Sequence, residues 1–250
     1  MTAIFITATG TDVGKTFVAA SLVRHLRQMG RIVDAIKPIV SGFDGGRAAE
    51  SDSGILLDAL GLPVSAAEID RISPWRFRAA LSPDLAARRE QRSIDVDSVI
   101  SFCQSMIEQR RDILLIEGAG GIMVPLDQNR TMLDVMMALQ IPLILVTGSY
   151  LGTISHTLTA LDSLYRRDMN VMAIIVSETA GSSVTLGDTV AEIARFANPV
   201  IGVPRQRRGA DNSDNAGSSA FSRLFGSRGN PPQSGQGPLP RPPRPSGSEQ

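Results

Sequence analysis

The sequence predicts an α/β fold with a doubly wound, mostly parallel sheet, in a single domain that covers residues 1–204. Short runs of Ile, Leu and Val alternate with longer segments whose apolar residues recur at helical spacing. The short runs are almost continuously apolar, as in parallel strands that helices cover on both faces. Such alternation folds through right-handed crossovers. The predicted strands are residues 3–7, 32–36, 113–116, 142–147, 171–176 and 200–203, and the predicted helices are residues 16–29, 55–60, 95–110, 155–167 and 184–196.

Cys103, the only cysteine of the chain, falls on the apolar side of the helix predicted for residues 95–110. A single cysteine excludes an internal disulfide and a cysteine-based metal cluster. Because of this position on the apolar side of a helix, we expect Cys103 to be a buried thiol rather than a nucleophile.

The charge balance and hydropathy are typical of a soluble cytoplasmic enzyme. The chain has 25 basic and 25 acidic residues, so its formal net charge gives no electrostatic reason to expect nucleic acid or an anionic membrane as a partner. No apolar stretch reaches the roughly 18–20 residues of a membrane span. The first predicted strand begins almost at Met1, which leaves no room for a cleavable signal, and we therefore expect a cytoplasmic location.

The last part of the chain, residues 205–250, has a different composition. Apolar periodicity is lost there, and Gly, Ser, Pro and Arg dominate. We expect a disordered tail, and its last stretch, residues 231–245, cannot supply a core and should have local polyproline character. A proline-binding partner could dock on it, although an uncommitted tail is the simpler interpretation.

The segment from Gly10 to Thr16 follows the first predicted strand and opens the first predicted helix. A strand, a glycine-containing turn ending in Gly14-Lys15-Thr16 and a helix form the P-loop arrangement, in which backbone N–H groups surround phosphates. Lys15 would reach the β- and γ-phosphates, and the Thr16 hydroxyl would ligate Mg²⁺. The usual pattern has its first glycine where Thr9 stands, so the loop is a variant. An ordinary glycine turn is the less favoured alternative in this context.

Three other polar positions follow or precede predicted elements in a way that suits a nucleotide and metal site. Glu117 ends an apolar strand and opens a glycine-rich loop, as a carboxylate that holds Mg²⁺ would. Asp52 precedes a predicted helix, where an isolated aspartate is most simply an N-cap. Ser41 follows Lys37 in a loop. Only two lysines occur in the chain, Lys15 and Lys37, and each follows a predicted strand, which suggests that they serve one site.

Taken together, these motifs resemble the dethiobiotin synthetase family, the ATP-dependent ligases that close the ureido ring in biotin synthesis. The resemblance covers about residues 2–204. The motifs that carry it are Thr-Gly-Thr-Asp-Val-Gly-Lys-Thr (residues 9–16), Lys37-Pro38 with Ser41-Gly42, Ser51-Asp52, Glu117-Gly118-Ala119-Gly120-Gly121, and Leu151-Gly152-Thr153-Ile154-Ser155-His156.

The resemblance implies the substrates 7,8-diaminopelargonic acid, CO₂ and ATP, with Mg²⁺ as cofactor, and a carbamate that is phosphorylated before the ring closes. It implies that Lys37 holds the carbamate and the transferring phosphoryl group, that Lys15 neutralises phosphates, and that Thr11 and Ser41 bind substrate or phosphate oxygens. It also implies that Thr16, Asp52 and Glu117 bind magnesium, which replaces the N-cap interpretation of Asp52. The remaining nucleotide-binding positions that it implies are Asp12, Val13, Gly14, Phe17, Gly118, Ala119, Gly120, Ser177, Glu178 and Pro204.

The same resemblance implies a homodimer with shared active sites. The segment 148–156 would come from the second subunit and receive the carboxylate tail of the substrate, with Tyr150 and Ser155 as contacts. His156 is more simply a helix-terminus or packing histidine than a base. His25, among arginines in the first helix, is expected to face solvent.

Three departures from the family pattern leave two alternatives open. Ala8 and Gly10 stand where the family commonly has glycine and aspartate, Ser177-Glu178 stands where it has Asn-Asp, and residues after Pro204 are low in complexity. A catalytically silent nucleotide-binding module is one alternative because of this altered C-terminal region. The other is a P-loop switch ATPase that binds a protein partner, but such proteins carry an additional lysine early in the loop, which this chain does not have.

Overall fold

A computed structural model describes residues 2–205 and 218–225 and shows the predicted α/β architecture. Its strands are β1 (Thr2–Ala8), β2 (Val33–Ile36), β3 (Ile39–Ser41), β4 (Trp75–Phe77), β5 (Ile113–Glu117), β6 (Leu143–Gly148), β7 (Val171–Ser177) and β8 (Val200–Val203). Its α-helices are α1 (Lys15–Gln28), α2 (Asp52–Leu60), α3 (Ala66–Ile72), α4 (Pro83–Arg89), α5 (Val96–Gln109), α6 (Met132–Leu139), α7 (Thr153–Tyr165), α8 (Leu186–Ala194) and α9 (Ser218–Phe225), and a 3₁₀ segment spans Gly45–Glu50.

The main sheet has six parallel strands in the order β2-β5-β1-β6-β7-β8. Every residue of β5 and β6 is buried, which confirms that helices cover both faces of the central strands. The strand order reverses at β1, which pairs with β5 on one side and β6 on the other. In sheets of this kind ligands bind outside the carboxyl ends of the strands at such a reversal.

All six strands predicted for the main sheet are present, with ends that differ by one residue at most. The two short strands β3 and β4 were not predicted and form a separate parallel pair. Three residues each are too few to show a recognisable pattern in sequence. The helices α3, α4 and α6 were also not predicted, because each has only seven or eight residues.

Helix α2 begins three residues earlier than predicted, at Asp52. The side chain of Ser51 accepts a hydrogen bond from the Gly54 N–H at 3.1 Å, so Ser51 is the N-cap and the N-cap interpretation of Asp52 is wrong. Helix α2 packs on α1, where Arg27 donates to the Ala59 carbonyl at 2.8 Å. This packing fixes Asp52 beside the start of α1.

The helix α9 contradicts part of the expectation for the C-terminal tail. It contacts α1 and β8, and Phe221, Leu224 and Phe225 are at most 1% exposed. Disorder was expected for all of residues 205–250, whereas Ser218–Phe225 form a short amphipathic helix with three apolar residues on one face. The expectation of disorder for residues 206–217 and 226–250 lies outside the described residues.

The docking of α9 also corrects the expectation for His25. The ring of His25 is buried against Phe221, with 6.0 Å between ring centroids, and does not face solvent. Burial lowers the pKa of His25. Cys103 is buried as predicted, and burial raises its pKa to about 12. Within the described parts of the chain, none of the helices combines the length and apolar character needed to cross a bilayer.

We predict that Phe221→Ala lowers the free energy of unfolding by about 3 kcal/mol, because it opens a cavity between α9 and α1. Chemical denaturation measures this change. Phe196→Ala is the matched control, since the same side chain is 43% exposed there and its loss should cost less than about 1 kcal/mol. Equal effects of the two substitutions would show that α9 does not dock in solution.

Candidate active site

The loop between β1 and α1 forms a phosphate cradle. Gly14 has φ 92°, and a Cβ atom there would lie 2.5 Å from the Ser177 hydroxyl, so only glycine fits. Helix α1 then begins at Lys15 without a side-chain cap, which leaves the N–H groups of its first turn available to an anion. Asp12 also has a left-handed backbone, with φ 57°. The loop geometry is therefore that of an anion-binding P-loop.

A second glycine-rich loop, residues 118–121, follows β5 and lies against the phosphate cradle. The Gly118 N–H donates to the Ile6 carbonyl, and the Ile122 N–H donates to the Ala8 carbonyl, both at 3.0 Å. A Cβ atom on Gly121 would lie 3.2 Å from the backbone of Gly10. The glycines thus allow two backbones to approach each other closely, and Ala119 and Gly120 are left facing the cavity beside them.

A buried ion-pair cluster joins the ends of β2 and β5 to the start of α2. The Lys37 ammonium lies 2.6 Å from Glu117 Oε1 and 2.5 Å from Asp52 Oδ2. Lys37 is 5% exposed and Glu117 is 1% exposed, whereas Asp52 is half-buried. The Thr16 hydroxyl donates to Glu117 Oε1 at 2.6 Å. Through Thr16, the cluster therefore connects the phosphate cradle to the carboxyl ends of β2 and β5.

The charges in this cluster shift the pKa values of its members. Burial acts to lower the pKa of Lys37, but the carboxylates of Glu117 and Asp52 outweigh it, and the pKa is raised. Burial acts to raise the pKa of Asp52, but the neighbouring Lys37 ammonium outweighs it, and that pKa is lowered. Lys37 and Asp52 are therefore both charged over the physiological pH range.

Lys15 is the cation of the site that lacks close compensation from a carboxylate. Its ammonium donates to the Gly10 carbonyl at 3.3 Å, and its side chain is almost fully buried. Burial, and then repulsion from Lys37, lower its pKa to about 8. Because Glu117 and Asp52 already pair with Lys37, an anion such as a phosphate would be the natural partner of Lys15.

These residues surround a cavity of about 660 Å³. Eleven of the sequence-predicted site residues line it: Thr11, Asp12, Gly14, Lys15, Thr16, Phe17, Lys37, Ser41, Asp52, Ala119 and Gly120. The sequence reasoning missed the opposite wall, formed by Ile39, Ala80, Leu81, Ser82, Pro83 and Val124. The Ser82-Pro83 pair could have signalled a helix start, because proline favours the first helical position, but nothing in sequence places it near the phosphate cradle.

The other predicted site residues lie outside the wall of this cavity. Val13 is buried in the core, Glu117 lies beneath the floor, and Gly118 is packed against the Phe5 ring. Ser177 is buried beside Gly14, while Glu178 accepts a hydrogen bond from the Arg205 N–H at 2.9 Å and Pro204 is exposed. These three residues form a separate group at the ends of β7 and β8.

Tyr150 and Ser155 lie in the turn after β6 and in the first turn of α7. The Tyr150 hydroxyl and His156 Nδ1 are 2.9 Å apart, so His156 is a packing partner of Tyr150 in this structure. Ser155 is exposed, and Leu151 between them is 81% exposed. The structure does not bring this turn to the cavity of the same chain.

Hard oxygen donors in the wall of the cavity and directly beside it could hold a divalent cation. Glu117 Oε2 and Ser41 Oγ are buried without a hydrogen-bond partner among the described residues. Within residues 2–205 and 218–225, no group of three or more His, Cys, Asp and Glu side chains could hold a metal alone. Mg²⁺ needs fewer, since it is commonly bound by one or two carboxylates together with water and nucleotide phosphates. The oxygens of Glu117, Asp52 and Thr16 fit that requirement.

Comparison with known proteins decides which family this site belongs to. A family model described as an AAA domain matches residues 2–206. The ATP-dependent dethiobiotin synthetase BioD of Phenylobacterium zucineum is 44% identical over 84% of this chain and 92% of its own length. The chain belongs to the dethiobiotin synthetase family. The synthetases of a Caulobacter species (45% identical, 82% of this chain and 89% of the relative) and Lysinibacillus sphaericus (33%, 88% and 95%) agree with this assignment.

Solved structures place the family member within the P-loop NTPase fold. MinD from Pyrococcus horikoshii, a septum site-determining protein solved with Mg-ADP, superposes with a TM-score of 0.53 at 19% identity, over 88% of this chain and 92% of its own. The MinC:MinD cell division complex of Aquifex aeolicus gives 0.51 at 15% identity, over 91% of both chains. At these identities the likeness concerns the fold alone.

We predict that the affinity for ADP falls as the pH rises above about 8, by up to tenfold per pH unit, because Lys15 must then take up a proton to pair with phosphate. Titration calorimetry in buffers of different ionisation enthalpy measures both affinity and proton uptake.

In the absence of ligand, the free energy of unfolding changes with pH in the opposite direction to the affinity. The unfolded lysine keeps its proton up to about 10.5, so the Lys15 contribution to the free energy of unfolding rises between pH 8 and 10.5. Lys15→Gln should remove both dependences, and a pH-independent affinity in the unsubstituted protein would contradict the assignment.

Proposed function

We propose that the protein catalyses the ATP-dependent closure of 7,8-diaminopelargonic acid with CO₂ to dethiobiotin, with release of ADP and phosphate. The observation that carries the proposal is the buried Lys37, held by Glu117 and Asp52 at the floor of a cavity whose rim is a P-loop. The relatives that share 33–45% of their residues with most of this chain are named for the same ATP-dependent activity. A ligase of this kind needs a nucleotide site and a second cationic group beside the γ-phosphate, and the P-loop with Lys15 and the buried Lys37 are our candidates for these two features.

The reaction requires three steps, in which the protein positions the reactants. One amine of the substrate attacks CO₂ and loses a proton, which gives a carbamate. A carbamate oxygen then attacks the γ-phosphorus of ATP, and ADP leaves, which gives a carbamic–phosphoric anhydride. The second amine attacks the carbonyl carbon and loses a proton, and the bond from that carbon to the phosphate oxygen breaks, so that phosphate leaves as the ring closes. Each step develops or moves negative charge on oxygen, so fixed cations and N–H donors can supply most of the catalysis.

Lys37 is the group that we assign to the carbamate and the transferring phosphoryl group. Its raised pKa keeps it protonated, and an ammonium in a buried site stabilises developing charge far more than one in water does. Lys15 would neutralise the phosphates from inside the P-loop, since it lacks the close carboxylate partners that Lys37 has. Thr11 and Ser41, which line the same cavity, would donate hydroxyl hydrogen bonds to substrate or phosphate oxygens.

Glu117, Asp52 and Thr16 would hold Mg²⁺. The ion, when bound, neutralises phosphate charge during phosphoryl transfer. The unpartnered Glu117 Oε2 supports this assignment, because a buried carboxylate oxygen without a donor is costly unless a ligand satisfies it.

The nucleotide would extend from the P-loop toward Ser177, Glu178 and Pro204. Ser177 lies directly against Gly14, so this group borders the phosphate cradle. Because a serine hydroxyl cannot present the paired donor and acceptor of an amide, we expect looser selection of the purine than an asparagine would give.

The turn after β6 would act in the active site of a second subunit. Tyr150, Leu151 and Ser155 do not line the cavity of their own chain, and Leu151 is the most exposed large apolar side chain among the described residues. Single exposed apolar residues are common on protein surfaces, so the homodimer rests on the family resemblance of this segment rather than on Leu151. In such a dimer Tyr150 and Ser155 would contact the carboxylate tail of the substrate.

A turnover assay tests the proposed function. Purified protein with MgATP, bicarbonate and 7,8-diaminopelargonic acid should yield dethiobiotin and phosphate in equal amounts, both dependent on the diamine, as followed by mass spectrometry and phosphate release. ATP binding without product would indicate a silent nucleotide-binding module. Phosphate release that does not depend on the diamine would indicate a switch ATPase.

Lys37→Gln should lower turnover by at least about 10³-fold while most of the ADP affinity is retained, because Lys37 acts on the reacting groups. Lys15→Gln should damage both turnover and ADP binding, and it is the matched control because these are the only two lysines of the chain. Retained ADP binding also verifies that the Lys37 variant is folded. Normal turnover by Lys37→Gln would refute the proposed mechanism.

A further inference from the structure

Four threonine hydroxyls form a connected cluster beside the phosphate cradle, and the proposed reaction does not use any of them. Thr147 Oγ1, at the carboxyl end of β6, lies 3.0 Å from Thr9 Oγ1 and 2.7 Å from Thr153 Oγ1. Thr157 Oγ1 lies 3.0 Å from the same atom. Thr147, Thr153 and Thr157 are at most 1% exposed. Thr147 is therefore the centre of a buried hydroxyl cluster that connects two loops and a helix.

The hydrogen-bond directions in this cluster follow from counting protons, because each hydroxyl has only one to donate. Thr153 Oγ1 donates to the Gly148 carbonyl at 2.7 Å, so it must accept from Thr147. Thr147 has then used its proton, so it must accept from Thr9. The result is a single directed chain, from Thr9 through Thr147 and Thr153 to the Gly148 carbonyl.

Thr157 is a side branch of this chain. It donates to the Thr153 carbonyl at 2.7 Å or to Thr147 at 3.0 Å, and its hydroxyl does not bond to Thr9 or Gly148. Its removal would leave the directed chain complete. Thr157 therefore offers an internal comparison of the same residue type in the same buried surroundings.

The two ends of the chain are the entrances to two loops. Thr9 is the first residue after β1 and leads directly into Gly10–Gly14, and its N–H donates to the Val146 carbonyl at 3.0 Å. At the other end, the Thr153 hydroxyl closes the turn 148–152 onto the start of α7. The Thr147 hydroxyl therefore links β6 to the side chains of Thr9 and Thr153, one at each loop.

We propose that Thr147 is a positioning residue whose hydroxyl fixes the phosphate cradle and the turn 148–152 relative to each other. Loss of this hydroxyl leaves the partly buried Thr9 hydroxyl without its acceptor, so the start of the cradle is held by its backbone alone. Nucleotide affinity should then depend on a residue that does not touch nucleotide. A less well fixed turn 148–152 should also weaken binding of the substrate tail in the neighbouring subunit. This second consequence rests on the proposed function.

Thr147→Val tests the proposal, because valine keeps the shape and removes the hydroxyl. Titration calorimetry with MgADP should show a loss of affinity of about tenfold, as expected for one unsatisfied polar group near the site. Thr147→Ser, which restores the hydroxyl, should bind MgADP within about twofold of the unsubstituted protein. Thr157→Val is the matched control and should also bind within about twofold, even where its melting temperature falls as far as that of Thr147→Val.

Thr9→Val removes the same hydrogen bond from the partly exposed side of the cluster and should reproduce the loss of affinity if Thr147→Val does not fold. Unchanged MgADP affinity in whichever of these variants folds would overturn the proposal, and so would an equal loss in Thr157→Val. In the turnover assay, Thr147→Val should raise the KM for the diamine more than it lowers kcat. If the unsubstituted protein does not turn over the diamine, the proposed function fails, but the MgADP affinities still decide the role of Thr147.

Discussion

The site depends on one interaction, the pairing of the buried Lys37 ammonium with Glu117 and Asp52. Removing an ammonium from water is costly, and the cost is offset only when carboxylates lie close to it. Lys37 follows β2, and its partners come from the end of β5 and the start of α2. The ion pairs therefore hold β2, β5 and α2 together. Thr16, which donates to Glu117, adds the start of α1.

The same pairing explains why the two lysines differ. Two carboxylates and two lysines sum to zero charge, but both carboxylates are in contact with Lys37, and Lys15 has a backbone carbonyl as its close partner. The pKa of Lys37 is raised and that of Lys15 is lowered as a consequence. A phosphate group would complete the compensation of Lys15, so the P-loop can select an anion through this one cation together with its backbone N–H groups.

Much of the fold and of the site could be predicted from the sequence, because the signals are local. The strands are continuous apolar runs, and the phosphate cradle is a motif whose glycine and lysine are adjacent in sequence. The wall from Ala80 to Pro83 could not be predicted, because it reaches the cavity only through the pairing of two three-residue strands. The burial of His25 could not be predicted either, since its partner Phe221 is almost two hundred residues away in a segment of low complexity. The role of Asp52 came from the family resemblance, and its contact with Lys37 depends on how α2 packs on α1.

The most direct test of this account is a double-substitution cycle on the buried pair, measured as free energies of unfolding. Lys37→Met leaves Glu117 and Asp52 close together without a cation, and breaking a buried pair in this way should cost about 3–5 kcal/mol. Glu117→Gln should therefore destabilise the unsubstituted protein but be neutral or stabilising in the Lys37→Met background, where it removes an uncompensated buried charge. If Glu117→Gln has the same effect in both backgrounds, the pairing does not hold the site together and the account is wrong.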